Sequence, residues 1–211
     1  MTEPIFSKHV FPKFDVEELV KPRMQGLSDP TMSDFQLLDI SALYKDDCKE
    51  EAFEQEFVKS FLSAAKVLAA KGRADVAKPH VYVFYEHSYA IPVLYLTRHC
   101  MELALKRGLR RFGIGDKQGH DLDKLWSSLL SKLPSDRGRE EERAIKNMGL
   151  FVRTISDIDH TGFDLRYPTS RDGSLTQDRS LWVNGEAVVN LLERFVEQLE
   201  FLVGPGSEAC S

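Results

Sequence analysis

Charged side chains inside an apolar helical pattern are the feature that most constrains this fold. In residues 95–106, YLTRHCMELALK, leucines and a methionine surround four ionisable residues, Arg98, His99, Glu102 and Lys106. Side chains four positions apart are neighbours on a helix, so Glu102 can pair with both Arg98 and Lys106. Because a buried charge has to be paired and hydrogen-bonded, we predict a partly buried charge ladder, Arg98–Glu102–Lys106, with His99 beside it.

The charge ladder has two interpretations, a salt-bridge brace between helices or part of a functional site, because both kinds of cluster occur in proteins. His120 follows a glycine-rich turn and starts a helix, so the chain can return it towards the end of the long helix. The alternative interpretation of His120 is an ordinary residue at a helix start. Periodicity leaves open whether His120 reaches His99.

Hydrophobic periodicity predicts an all-α protein with five helices and little sheet. Apolar residues recur three and four positions apart, which is the spacing of an amphipathic helix. Asp121 and Asn184 are suited to helix starts, and Gly72 and Pro134 to helix ends. The predicted helices cover residues 51–71, 88–112, 121–133, a stretch from the charged run 135–147 to Asp159, and 184–204.

The segments outside these helices complete the predicted domain organisation. Residues 1–50 have prolines at positions 4, 12, 22 and 30 and are predicted to form an irregular N-terminal arm, with a short strand or helix near 35–43. Residues 161–173 contain glycines and a proline and are predicted to be an extended loop or short hairpin arm. The predicted fold is a bundle of four to five helices over 51–205, with a short extended segment before the last helix and a disordered tail at 206–211.

Composition limits the function classes. The net charge of -5 and the pI near 5.7 argue against non-specific coating of nucleic acid, so polyanion binding has to be local. The 3 cysteines are far apart, without the paired spacing of a zinc site or a disulfide framework, which favours a reducing cytoplasm. No run approaches the roughly 20 apolar residues of a membrane span. We expect a cytoplasmic protein that does not enter the membrane.

Arg153 and His160 form a second candidate pair. Seven positions on an α-helix are almost two turns, so both side chains would project from nearly the same face, about 10 Å apart along the axis. If the helix ends at Asp159, that spacing loosens. The alternative interpretation is an unrelated pair of surface residues.

A basic run at the end of the long helix offers a local phosphate-binding surface. Its alternative interpretation is a solvated helix C-terminus whose cations suit the helix dipole. The run consists of Lys106, Arg107, Arg110, Arg111 and Lys117.

His99, Glu102 and His120 are a further candidate set, as metal ligands. Helical bundles that bind two metals supply paired glutamates and Glu-x-x-His motifs from several helices, whereas this sequence has one partial, reversed version. The sequence therefore predicts no metal and no cofactor.

Three motifs together resemble a known superfamily. Tyr89, Pro92 and Leu96 lead into RHCMELALK, GHDLDKLW follows at 119–126, and FDLRYP precedes the final helix. This pattern is similar to bacterial proteins of the HEPN (higher eukaryotes and prokaryotes nucleotide-binding) superfamily over residues 80–203. The resemblance implies a bundle of four or five helices, usually a homodimer, often encoded in toxin–antitoxin, CRISPR-linked or abortive-infection systems.

The resemblance also implies a site. In active members of the superfamily, an arginine followed after four to six residues by a histidine forms a metal-independent ribonuclease site across the dimer two-fold. Arg153 and His160 match this motif, whereas Thr154 stands where a larger polar residue is frequent. Arg166 of the FDLRYP segment joins the charge ladder as a candidate binding or structural residue. The alternative is a non-catalytic HEPN-like dimer that binds a protein partner or a nucleotide.

Overall fold

Five α-helices make up the regular structure of the described residues. The computed structural model describes residues 47–76, 89–115, 119–170, 172–176 and 183–203. In chain order the helices are α1, Asp47–Val76; α2, Ala90–Arg111; α3, Leu122–Leu130; α4, Arg139–Ile158; and α5, Gly185–Val203.

The all-α fold class is confirmed for these ranges. The described residues between α4 and α5 contain turns and one isolated β-bridge, between Thr169 and Leu175, where the sequence predicted an extended or hairpin arm. The predicted arm at 1–46, with its element near 35–43, and the tail at 206–211 lie outside the described residues. None of the helices in the described ranges combines the length and apolar character that crossing a bilayer requires.

Two predicted helix ends are wrong. The first helix continues through Gly72 to Val76, although glycine costs a helix interior about 1 kcal/mol relative to alanine. Packing of α1 against α2 and α5 outweighs that preference. The third helix ends at Leu130, short of the proline at 134, because the chain leaves the helix through a turn at Ser131 and Lys132.

Helix α2 is central and packs against the other four helices. Its apolar residues are buried on several sides, including Cys100, Met101 and Leu105. Full burial of a leucine- or phenylalanine-sized side chain stabilises a fold by roughly 1.5–3 kcal/mol. The facing helices supply Leu122, Leu125 and Leu129 of α3, Val152 and Ile155 of α4, and Leu192 and Phe195 of α5. A helix surrounded in this way buries its polar side chains as well.

Two loops meet over the side of α2 that carries the charge ladder. The first loop leads into α3, whose N-cap Asp121 accepts a hydrogen bond from the Lys124 amide at 3.1 Å. The second begins at Asp159, where α4 ends, and turns through Gly162, whose φ of +76° lies in the left-handed region. The candidate site lies where these loops contact α2.

Candidate functional site

The guanidinium of Arg98 holds both loops. The side chain is 4% exposed. Its Nε donates to the carbonyl of Asp159 at 2.8 Å, and one terminal nitrogen donates to the carbonyl of His120 at 2.7 Å. The other terminal nitrogen donates to Glu102 Oε2 at 3.1 Å. Arg98 therefore fixes the backbone at the end of α4 and at the start of α3.

Gly162 covers the face of this guanidinium. A Cβ at position 162 would lie 2.8 Å from a terminal nitrogen of Arg98 and 2.9 Å from its Cζ. A side chain there would clash, and the positive φ already disfavours residues other than glycine. The close approach lets the loop backbone close over the buried charge.

Asp159 orders the second loop from within. Its side chain is fully buried, and its two oxygens accept from the amides of Asp164 at 3.1 Å and Leu165 at 3.4 Å. One oxygen also lies 3.7 Å from Arg98 Nε. From the sequence, Asp159 is predicted only to end a helix. An aspartate at that end, followed shortly by a glycine, was the available signal for a loop anchor.

Glu102 connects the ladder to His120. Its Oε1 lies 2.9 Å from Lys106 Nζ and 2.7 Å from His120 Nδ1. Burial raises the pKa of Glu102, but the hydrogen bonds from Lys106 and His120 outweigh burial and hold that pKa below its ordinary value. The predicted pairing of Glu102 with Arg98 and Lys106 is confirmed, and so is its burial.

His99 packs against two aromatic rings. Its ring makes an edge contact with Phe61 at a centroid distance of 4.5 Å and stacks with Tyr95 at 6.1 Å. Burial lowers the pKa of His99 below its ordinary value, which favours the neutral imidazole. His99 acts as an aromatic packing residue between Phe61 and Tyr95.

Arg166 binds the second loop to α2. Its guanidinium carbon lies 6.0 Å from the ring centroid of Tyr95, and its Nε donates to the carbonyl of Gly162. Arg166 therefore links the second loop to Tyr95 of α2.

The surface above Arg98 carries two imidazoles and two carboxylates. The His120 side chain is 65% exposed and His160 is also exposed. Among the described residues, ligand atoms of Asp121, Asp123 and His160 lie within 4.8 Å of one another. This grouping was not predicted, because it joins the start of α3 to the loop after α4. Two carboxylates and an imidazole are ligands that divalent cations bind.

Both carboxylates already have protein partners. Asp123 accepts from the Ser156 hydroxyl at 2.6 Å, and Asp121 lies 3.0 Å from Lys124 Nζ. Burial raises the pKa of Asp121, but the Lys124 amide and ammonium, with a smaller contribution from His160, hold it below its ordinary value.

Arg153 and His160 are both exposed, but Arg153 lies in a helix and His160 in the loop that follows it. Arg153 lies in α4, which ends at Ile158, and the following Asp159 has φ of -144° and ψ of 84°. His160 therefore belongs to the loop, and helical spacing does not set its position relative to Arg153.

The described cations of the basic run form ion pairs with carboxylates. Arg107 and Arg111 pair with Glu200 of α5, and Arg110 pairs with Glu54 of α1. Lys106 pairs with Glu102, and Lys117 lies outside the described residues. The three arginines thus join α2 to α1 and α5, Lys106 pairs within α2, and a phosphate-binding surface there is not supported.

No family model matches this chain, and comparisons with curated proteins and with solved structures likewise find no match. The resemblance to HEPN proteins therefore rests on the sequence motifs.

Proposed function

We propose that this chain is a HEPN-like, metal-independent endoribonuclease that acts as a homodimer, of the kind encoded in bacterial defence or toxin–antitoxin systems. The observation that carries the proposal is that Arg153 and His160 are both exposed while the backbone next to His160 is fixed by the buried Asp159. Reactive side chains on a rigid support are what acid–base catalysis requires, because misplacement costs rate steeply.

The chemistry follows from the two side-chain types. An imidazole takes the proton from an RNA 2′-hydroxyl or delivers one to the leaving 5′-oxygen, and a guanidinium stabilises charge that grows on the phosphate oxygens. The nucleophile restricts the substrate to RNA. A two-fold dimer would bring two Arg153–His160 pairs together.

The test is cleavage of RNA of mixed sequence in EDTA, at protein concentrations where the chain is dimeric. We expect cleavage by the wild type and a loss of about 100-fold or more in Arg153→Ala and His160→Ala, because acid–base and charge stabilisation contribute at that level. Arg143→Ala, an exposed arginine of the same helix, is the matched control and retains activity.

Two results contradict the proposal. One is the absence of cleavage by the folded wild-type dimer. The other is cleavage that EDTA abolishes, which would instead assign the Asp121, Asp123 and His160 group to a divalent cation.

A second candidate is a non-catalytic dimeric module that binds a protein partner or a nucleotide. The observation that favours it is the pairing of the α2 cations with carboxylates, which leaves Lys106, Arg107, Arg110 and Arg111 engaged within the protein. This module predicts no RNA cleavage and unchanged partner binding in Arg153→Ala and His160→Ala.

A further inference from the structure

We infer that His120 is a catalytic base of this site, oriented by the buried carboxylate of Glu102. The inference rests on the proposed ribonuclease function and adds to it a second imidazole from the same chain. His120 differs in exposure from the ladder residues that it contacts. Arg98 and Glu102 are buried, whereas the His120 side chain, in direct contact with Glu102, is 65% exposed.

His120 is held at two points by α2. Its carbonyl accepts from Arg98 at 2.7 Å, and its Nδ1 lies 2.7 Å from Glu102 Oε1. A carboxylate that accepts from Nδ1–H selects the tautomer in which Nε2 is unprotonated. The buried Arg98 and Glu102 therefore fix the orientation of an exposed ring whose Nε2 can accept a proton.

The contact between His120 and Glu102 is not needed to neutralise the buried charges. The cations of Arg98 and Lys106 already face the carboxylates of Glu102 and Asp159. With Nδ1–H donated to Glu102, Nε2 is the ring nitrogen that accepts a proton. An exposed ring adds little to burial, so structural bracing alone gives His120 a small role.

The second imidazole faces the residue next to His120. Asp121 directly follows His120, and its carboxylate lies within 4.8 Å of a ligand atom of His160. His120 and the Asp121–His160 contact thus lie at the same end of α3. Transfer of a phosphoryl group from the 5′-oxygen to the 2′-oxygen of RNA needs one base and one acid, which His120 and His160 supply.

His120 and His160 act in one transfer step. The 2′-hydroxyl loses its proton to Nε2 of His120 while its oxygen forms a bond to phosphorus. The bond from phosphorus to the 5′-oxygen breaks, and that oxygen takes a proton from the imidazolium of His160. The products are a 2′,3′-cyclic phosphate and a 5′-hydroxyl, and exchange with water restores both imidazoles.

The deciding variant is His120→Asn. Its side-chain amide can donate to Glu102 as Nδ1 does, but it cannot take a proton at neutral pH. We expect an unchanged melting temperature and a loss of about 100-fold or more in RNA cleavage. Ser127→Ala, an exposed residue of α3, is the control and retains activity.

Chemical rescue adds a readout that a structural role would not move. Because the His120 ring is exposed, its removal in His120→Ala leaves space that solvent imidazole can enter, so we expect added imidazole to restore part of the cleavage. Wild-type-like cleavage by His120→Asn, or no effect of imidazole on His120→Ala, overturns the inference while the ribonuclease proposal stands. Absence of cleavage by the wild type overturns both and is seen before any variant is made.

Discussion

Arg98 and Arg107 both lie in α2 and are almost equally buried, yet they hold different parts of the molecule. Arg98 donates to the backbone carbonyls of two loops, at Asp159 and His120. Arg107 pairs with the carboxylate of Glu200 on a neighbouring helix. A buried cation bound to loop backbone therefore positions the side chains that those loops carry. A cation bound to a helix side chain joins two elements that packing already holds together.

The largest expected effect comes from removing Arg98. Arg98→Ala leaves Asp159 buried without its cation and two loop carbonyls without their donor. Breaking a buried pair by removing one partner costs about 3–5 kcal/mol, so we expect a loss of that size in the free energy of unfolding, measured by urea denaturation. Arg107→Ala should cost clearly less, since Glu200 is partly exposed. Equal losses in the two variants would remove the distinction between loop and helix anchors.

Two glycines with a left-handed backbone conformation provide a second, smaller comparison. Gly162 and Gly173 have φ of +76° and +83°, but a Cβ meets Arg98 at 2.8 Å in the first case and nothing within 4 Å in the second. Alanine in the left-handed region costs roughly 1–2 kcal/mol, which is the whole expected loss for Gly173→Ala. Gly162→Ala should exceed that loss by about 1 kcal/mol or more, because the clash adds to it. Indistinguishable unfolding free energies would mean that Arg98 moves aside freely.

The smallest expected effect is a pH dependence. The folded-state pKa of Glu102 lies below its ordinary value of 4.5, so its ionised form stabilises the fold above that value. This contribution is lost as the pH falls through the folded-state pKa. The unfolding free energy of the wild type should therefore fall more steeply than that of Glu102→Gln between about pH 5 and pH 3. The exposed Glu56→Gln is the control, and parallel curves for wild type and Glu102→Gln would contradict the expectation.

Local features were the predictable part of this fold. Asp121 and Asn184, expected at helix starts, accept hydrogen bonds from the amides of Lys124 and Ala187. The pairing of Arg98 with Glu102 spans four positions, and helix geometry alone brings such residues together. Where local preference competes with packing, as at Gly72, the prediction failed.

The site depended on contacts between distant parts of the chain. Arg98 reaches His120 across 22 positions and the Asp159 carbonyl across 61. Neither contact has a spacing that periodicity could detect. The aromatic surroundings of His99 and the grouping of His160 with Asp121 and Asp123 are of the same kind.

The all-α class, the helix starts and the charge ladder on α2 could be predicted without coordinates, because they follow from side chains three to four residues apart on one helix. The position of two loops over the ladder, the approach of Gly162 to Arg98 and the exposure of His120 beside Glu102 came from tertiary packing. The physical reason is that loop positions depend on how separate helices pack. A buried arginine that satisfies backbone carbonyls then fixes those positions.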